Sequence, residues 1–233
     1  TPESYLGMAQ ALIAEVGEDN LDKRAQADIA LAMGELDKHY AEDKALQVRA
    51  TLMQAKTLTK SGDPVRAAKL AEEAVARMAE LPQFFSADAA LLVASQLREL
   101  GQAAASETLL KNCVEIYGDD PAVMQNVAKQ TDDPQILAGG QEAVDFNRQG
   151  IRVYQLGRFA DALELFRRGL ALQPKNISIA LNTAQSLLRL GGDNPDAALL
   201  DECRRCLDAV SMIPSSDSRY ERYQQLRRRA FEQ

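Results

Sequence analysis

An all-α protein is what this sequence predicts, and three observations carry that expectation. Apolar residues recur at helical spacing along most of the chain, and no stretch alternates like a β-branched strand. Only 5% of the 233 residues are aromatic, Trp is absent and alanine is abundant, so helices can lie close along their length. Turn signals built on Gly, Asp and Pro return at intervals that fit pairs of helices rather than single ones. With 46% hydrophobic residues, the chain can build an extended core.

Taken in order, residues 1–44 read as an N-terminal helical hairpin or linker. A first helix spans 4–16 and stops near Gly17, and a second runs from about Leu21 to Tyr40 with Ile29, Met33 and Leu36 on its apolar face. Residues 45–120 form a degenerate repeated sub-array. Its first helix, 45–60, ends in the turn Ser61-Gly62-Asp63-Pro64, where Pro64 suits a first helical position because its missing N–H is not needed there. Ala67, Ala71, Ala74 and Met78 then share a face. A second pair spans 86–100 and 103–117 around Gly101-Gln102, with Leu110 and Cys113 on the packing side.

Residues 121–140 read as a joint. Gly118-Asp119-Asp120-Pro121, Thr131-Asp132-Asp133-Pro134 and Gly139-Gly140 are closely spaced turn signals, with a short helix expected over 121–129. The C-terminal sub-array, 141–214, holds two further helix pairs. In the first, Gly150 lies mid-helix where a partner must come close, Gly157-Arg158-Phe159 turns the chain, and Ala162, Phe166 and Gly169 form the seam ahead of Pro174. In the second, helices over 176–190 and 198–211 flank the long turn Gly191-Gly192-Asp193-Asn194-Pro195, and Pro214 ends the pair. Residues 215–233 read as a capping helix over 218–231, whose Arg and Gln content suits a polar outer face.

The stretch 142–174, EAVDFNRQGIRVYQLGRFADALELFRRGLALQP, resembles one complete tetratricopeptide repeat (TPR). The resemblance continues across 176–214 and persists as a period across 45–117. It implies an α-α superhelix of TPR-like helical hairpins with a C-terminal capping helix, because one such unit cannot bury its apolar face alone. It also implies that the first helix of each pair lines a concave face. On that face the candidate partner-binding residues are Asn147, Arg148, Ile151, Tyr154 and Gln155, joined by Asn182, Gln185 and Arg189 from the next pair. Asn can hold a peptide backbone through two hydrogen bonds and Arg can grip a carboxylate. The TPR domains of chaperone cofactors clamp acidic peptide tails with a similar set; a less specific protein-binding groove is the competing reading. In the N-terminal sub-array, Arg49, Lys56, Lys60 and Arg98 either converge on an acidic protein segment or are scattered solvated charges.

Composition excludes several functions. A net charge of −7 argues against a general nucleic-acid binder. Arg219, Arg222, Arg227, Arg228 and Arg229 read as a solvated last turn favoured by the helix dipole. Cys203 and Cys206 form a C-x-x-C, but His39 is the only histidine, so no metal centre is expected, and Cys113 and Cys206 read as core. No nucleophile-elbow, phosphate-loop or dinucleotide motif occurs, and the carboxylate pairs Glu72-Glu73, Asp119-Asp120 and Asp132-Asp133 read as solvated surface. The expectation is a non-enzymatic protein without cofactors. No signal peptide or membrane span is recognisable, and unpaired cysteines suit the cytoplasm. The chain opens Thr1-Pro2, which reads as a segment of a longer protein, and the acceptor sequence Asn176-Ile177-Ser178 is discounted without a secretory context.

The run NISIALNTAQSLLRL over 176–190, with Cys203-Arg204-Arg205-Cys206-Leu207 and Ser218-Arg219-Tyr220-Glu221-Arg222-Tyr223, is similar to the output region of bacterial receiver–TPR response regulators. That resemblance implies a signalling role downstream of a receiver domain, which these residues do not include. The leading expectation is a non-catalytic protein–protein interaction module whose partner is a protein or peptide. The alternative is a dimerisation module that pairs copies through an exposed stripe of Tyr220, Tyr223, Leu226 and Phe231.

Overall fold

The computed structural model describes residues 2–15, 23–40, 42–80, 86–138, 140–192 and 196–231. The described residues form helices joined by turns, with no strand among them. The expected features at Gly17, Leu21, Gly139 and Asp193-Asn194-Pro195 lie outside the described residues. The chain forms two compact units, one of residues 1–85 and 92–108, the other of residues 86–91 and 109–233.

In the first unit, α1 (Pro2–Glu15) and α2 (Lys23–Tyr40) pack on α3 (Lys44–Lys60). Leu6, Ala9, Ile29, Ala32, Met33 and Leu36 meet Leu46, Ala50 and Met53 in one core, as the helical spacing of Ile29, Met33 and Leu36 predicts. Asp43 caps α3 by accepting the Leu46 N–H at 2.9 Å. The other side of α3 packs on α4 (Pro64–Glu80) through Ala67, Ala71 and Ala74, all buried. Flanked on both sides, α3 buries Val48, Leu52 and Ala55 as well. Further along, α5 (Ala87–Glu99) receives the Ser106 hydroxyl of α6 (Ala103–Tyr117), which donates to the Ala94 carbonyl at 2.7 Å.

One turn geometry recurs. Gly62, Gly101 and Gly157 have φ of 81°, 78° and 78°, the left-handed region that a Cβ disfavours. Around each glycine the same two backbone bonds form. Asp63, Gln102 and Arg158 donate to the carbonyls of Leu58, Leu97 and Val153, and the glycines donate to Thr59, Arg98 and Tyr154. This is the Schellman termination, which satisfies the last carbonyls of a helix and redirects the chain at once into the next.

In the second unit, α7 (Pro121–Ala128) is capped by Asp120, and the five-residue α8 (Pro134–Ala138) by Asp133. Sequence reading anticipates α7 and misses α8, which has too few residues to show a period. The hairpin of α9 (Gln141–Gln155) and α10 (Phe159–Leu172) follows. Gly150 lets the Phe166 ring in: a Cβ built there would stand 2.5 Å from the ring. Further along the hairpin, a Cβ built at Gly169 would stand 3.1 Å from the Ala143 carbonyl oxygen. Gln173 is buried and donates to the Val114 carbonyl at 3.2 Å while its own oxygen accepts from Asn176, tying α10 to α6.

Asn176 caps α11 (Ile177–Gly191) by accepting the Ile179 N–H, and α11 packs on α12 (Ala197–Ala209). Fully buried in that role, Asn176 offers no surface to a glycosylating enzyme. Cys203 and Cys206 lie in the α11–α12 core, and Cys113 is buried in α6, where the sequence places core residues. Burial pushes the Cys113 and Cys206 thiols up to about 12 and Cys203 to about 11.

The final helix, α13 (Tyr220–Phe231), corrects the exposed-stripe expectation. Tyr223 is 3% exposed, Leu226 and Ala230 are also buried, and the helix packs on α11 and α12. Phe231 stays partly exposed, flanked by the guanidinium groups of Arg204 and Arg227. Spacing of three and four residues puts the apolar side chains on one face, and that face meets its own chain. Among the described residues, no helix is long and apolar enough to cross a membrane.

Two glycine substitutions test the packing argument by urea denaturation. Gly150→Ala should lower the unfolding free energy by about 1–2 kcal/mol, because overpacking against Phe166 outweighs the gain in helix propensity. Gly34→Ala, where nothing lies within 4 Å of the added carbon, should raise it by up to about 1 kcal/mol.

Candidate functional site

Within the second unit, α9, α11 and α13 together line a pocket of about 250 Å³. Helical spacing delivers Ile151, Tyr154 and Gln155 from α9 and Asn182 and Gln185 from α11. Phe166 enters from α10 past Gly150 and forms the apolar wall, and Arg222 enters from the first turn of α13.

The polar side chains are joined. Asn182 donates through Nδ2 to Asn147 Oδ1 at 2.7 Å, and Gln185 donates through Nε2 to the Tyr154 hydroxyl at 3.1 Å. Arg222 Nη2 donates to Asn182 Oδ1 at 2.8 Å and also to Gln185 Oε1. The Tyr154 ring leans on Phe159 with centroids 4.9 Å apart. Burial holds the Arg222 guanidinium below its ordinary pKa.

Five of the eight residues proposed from this half of the sequence, Ile151, Tyr154, Gln155, Asn182 and Gln185, therefore share one pocket. The other three do not offer themselves as expected. Asn147 is 5% exposed and lies behind the pocket, its amide oxygen committed to Asn182. Arg148 points to solvent and pairs with Asp145 at 3.0 Å, one turn back on the same helix. Arg189 stands over the Phe159 ring at 5.7 Å, outside the pocket lining. Adjacent helical residues face different ways, which separates Asn147 from Arg148.

Sequence reasoning missed Phe166 as a wall and Arg222 altogether. A signal for Arg222 exists. Because α13 begins at Tyr220 and not at Ser218, Arg222 falls in a first turn, where the helix dipole disfavours a cation. A positive charge placed there needs a reason other than the dipole.

In the first unit, the expected basic face is committed at one position. Lys56 is paired with Glu99 at 2.7 Å, and Arg98 is exposed beside that acid. Arg49 has a buried Nε without a hydrogen-bond partner, and Lys60 is the last residue of α3. A cleft of about 550 Å³ between α3 and α4 is lined instead by Gln47, Ala50, Thr51, Gln54, Leu70, Glu73 and Arg77. None of the four expected cations lines it.

The C-terminal basic run also departs from expectation at Arg219, which is half-buried. Its Nε and Nη2 donate to the two carboxylate oxygens of Asp217 at 2.9 and 2.8 Å, and its Nη1 donates to Ser178 Oγ at 2.9 Å. Asp119 lies 3.7 Å from the same nitrogen, so this carboxylate is tucked in rather than solvated, while its neighbour Asp120 serves as a helix cap. Burial alone would raise the Asp217 carboxyl, but the bonds and charge of Arg219 bring it below its ordinary value. Burial and the nearby Asp217 charge raise the Tyr117 phenol beneath the guanidinium.

Compared with known proteins, the chain matches no family model, no curated protein and no solved structure. The geometry of the groove must carry its own interpretation.

The paired guanidinium gives a pH-dependent prediction. Arg219→Met should cost about 2–3 kcal/mol at pH 7, because it strands a largely buried carboxylate. Asp217 has a folded pKa below its unfolded value near 3.8, so its contribution is present above that value and is lost as pH falls through the lower folded one. The deficit of the variant, followed by chemical denaturation from pH 7 downward, should shrink once the pH drops below about 4.

Proposed function

We propose that this chain is a non-catalytic protein-interaction module, built as a superhelical array of TPR-like hairpins capped by α13, with the α9/α11/α13 groove as its recognition face. The observation that carries the reading is the convergence of Ile151, Tyr154, Gln155, Asn182, Gln185 and Arg222 from three successive groove helices on one pocket. Amides, a phenol, an aliphatic edge and a single guanidinium are the chemistry of recognition: each can bind, and none is arranged as a nucleophile with its base. The recurrent Schellman turns at Gly62, Gly101 and Gly157 support the repeat assignment, since they join successive helices by one geometry. The role as the output part of a cytoplasmic bacterial response regulator rests on the resemblance of the 176–223 region, and a receiver domain in the full-length product would support it.

Immobilised chain incubated with bacterial lysate tests the module. Proteins retained by wild type should be lost from the double variant Ile151→Asp, Tyr154→Ala, and kept by Glu164→Lys, Arg205→Glu on the outer faces of α10 and α12. Retention by the groove variant together with loss from the outer-face variant places the recognition surface elsewhere and ends the groove reading.

A further inference from the structure

We infer that the cleft between α3 and α4 in the first unit is a binding site for a small zwitterion, an α-amino acid whose ammonium meets Glu73 and whose carboxylate meets Arg77. The site lies apart from the groove of the second unit, and the inference stands whether or not that groove holds a partner.

Two opposite charges left open in one cleft carry the argument. Glu73 precedes Arg77 by four residues on α4, the order in which an acid and a base pair best on a helix. Elsewhere the chain closes such neighbours, joining Asp63 to Arg66, Asp145 to Arg148 and Glu164 to Arg167. In the cleft it does not, and among the described residues no ion pair or hydrogen bond engages the Glu73 carboxylate. Arg77 is turned across the cleft instead, donating through Nη1 to Thr51 Oγ1 of α3 at 3.2 Å. That anchor is itself fixed. The Thr51 hydroxyl donates to the Gln47 carbonyl at 2.8 Å, and the Gln47 side chain donates to the Tyr40 carbonyl at 3.2 Å. The guanidinium is therefore held by one nitrogen. Its Nε and Nη2, the edge that takes a carboxylate on two bonds, are unused among the described residues.

The lining selects the ligand. A molecule with a single charge leaves one of the two side chains unanswered, whereas a zwitterion answers both. Residues one helical turn apart have Cβ atoms about 5–6 Å from each other, so the ammonium and carboxylate must lie close together. They do so on the single carbon of an α-amino acid, and the two ends of a longer peptide overshoot. Gln54 makes no hydrogen bond among the described residues, so its amide can donate to the ligand carboxylate or accept from its ammonium. Ala50 and Leu70 border the same cleft of about 550 Å³ and offer apolar surface to an aliphatic side chain. This is not the face that the repeat assigns to its groove. At about 100° per residue, Thr51 lies about 140° round α3 from Lys56.

The test follows the Gln54 side-chain amide resonances of the full 233-residue chain by NMR during titration with each standard α-amino acid. The tightest binder is then compared with two blocked forms: its amide, which keeps the ammonium and lacks the carboxylate, and its N-acetyl form, which does the reverse. At least one amino acid should give a saturable shift, with affinity about tenfold or more lower for either blocked form, the change expected when a charge-assisted bond is lost. Arg77→Met should weaken the amino acid to the same extent and leave the amide form unchanged. Glu73→Gln should weaken the amino acid likewise and leave the N-acetyl form unchanged. Both side chains are exposed, so both variants should keep the wild-type helical circular dichroism. No saturable shift with any amino acid, equal binding of a blocked form, or unchanged affinity in either variant would each overturn the proposal. Tighter binding of the N-acetyl form, or of a dipeptide, would overturn the zwitterion assignment in favour of an anion or a peptide.

Discussion

Phe166 reaches the groove only because residue 150 has no side chain. The ring passes the α9 backbone at a spot where even a methyl group would overlap it, and on the far side it becomes the apolar wall of the pocket. One small residue therefore sets two things at once: how near α9 and α10 approach, and whether the pocket between α9, α11 and α13 has a floor. A second close approach lies lower in the hairpin, where Gly169 faces the Ala143 carbonyl. Tight packing of this kind leaves few soft positions, and the direction of every groove side chain on α9 follows from it.

Charge in the C-terminal region divides into structural and unspent portions. Arg219 links the stretch before α13 to the start of α11 through Asp217 and Ser178, and its ring contact with Tyr117 extends the link to the end of α6. Arg167 and Glu202 form a comparable two-bond bridge from α10 to α12. These pairs are closed circuits, with donor and acceptor matched inside the chain. Arg222 is open on one side, and its neighbours are dipoles rather than charges. An acidic chain of net charge −7 that nevertheless withholds carboxylates from one half-buried guanidinium is spending its electrostatics selectively.

How legible this was in the sequence depended on whether a feature was local. Helix positions and turns were legible because Pro64, Asp120 and Gly157 act within a few residues of themselves, and the seam at Gly150, Ala162, Phe166 and Gly169 showed through helical spacing. The burial of Tyr223 and Leu226 agrees with a capping helix, but spacing alone did not separate that reading from an exposed stripe, since a stripe looks the same whether its partner is another copy or the preceding helix pair. Long-range side-chain commitments were hidden. Nothing in the composition tells that Asn147 will face inward to Asn182, 35 residues on, whereas the Arg148–Asp145 pair is three residues apart on one helix and was open to reading. Arg222 was misread because its helix was started two residues early, which moved a first-turn cation out of sight.

The three buried cysteines have a consequence for how this fold can be watched in motion. With thiols raised to about 11–12, the reactive thiolate is almost absent at neutral pH in the closed structure. Alkylation must then wait for an opening that brings the sulfur back to water, and its rate becomes a clock for that event. Cys203 and Cys206 sit one turn apart in the α11–α12 core, so one excursion exposes both, whereas Cys113 times a separate excursion around α6. The native chain thus carries its own reporters for two regions, without any introduced label site.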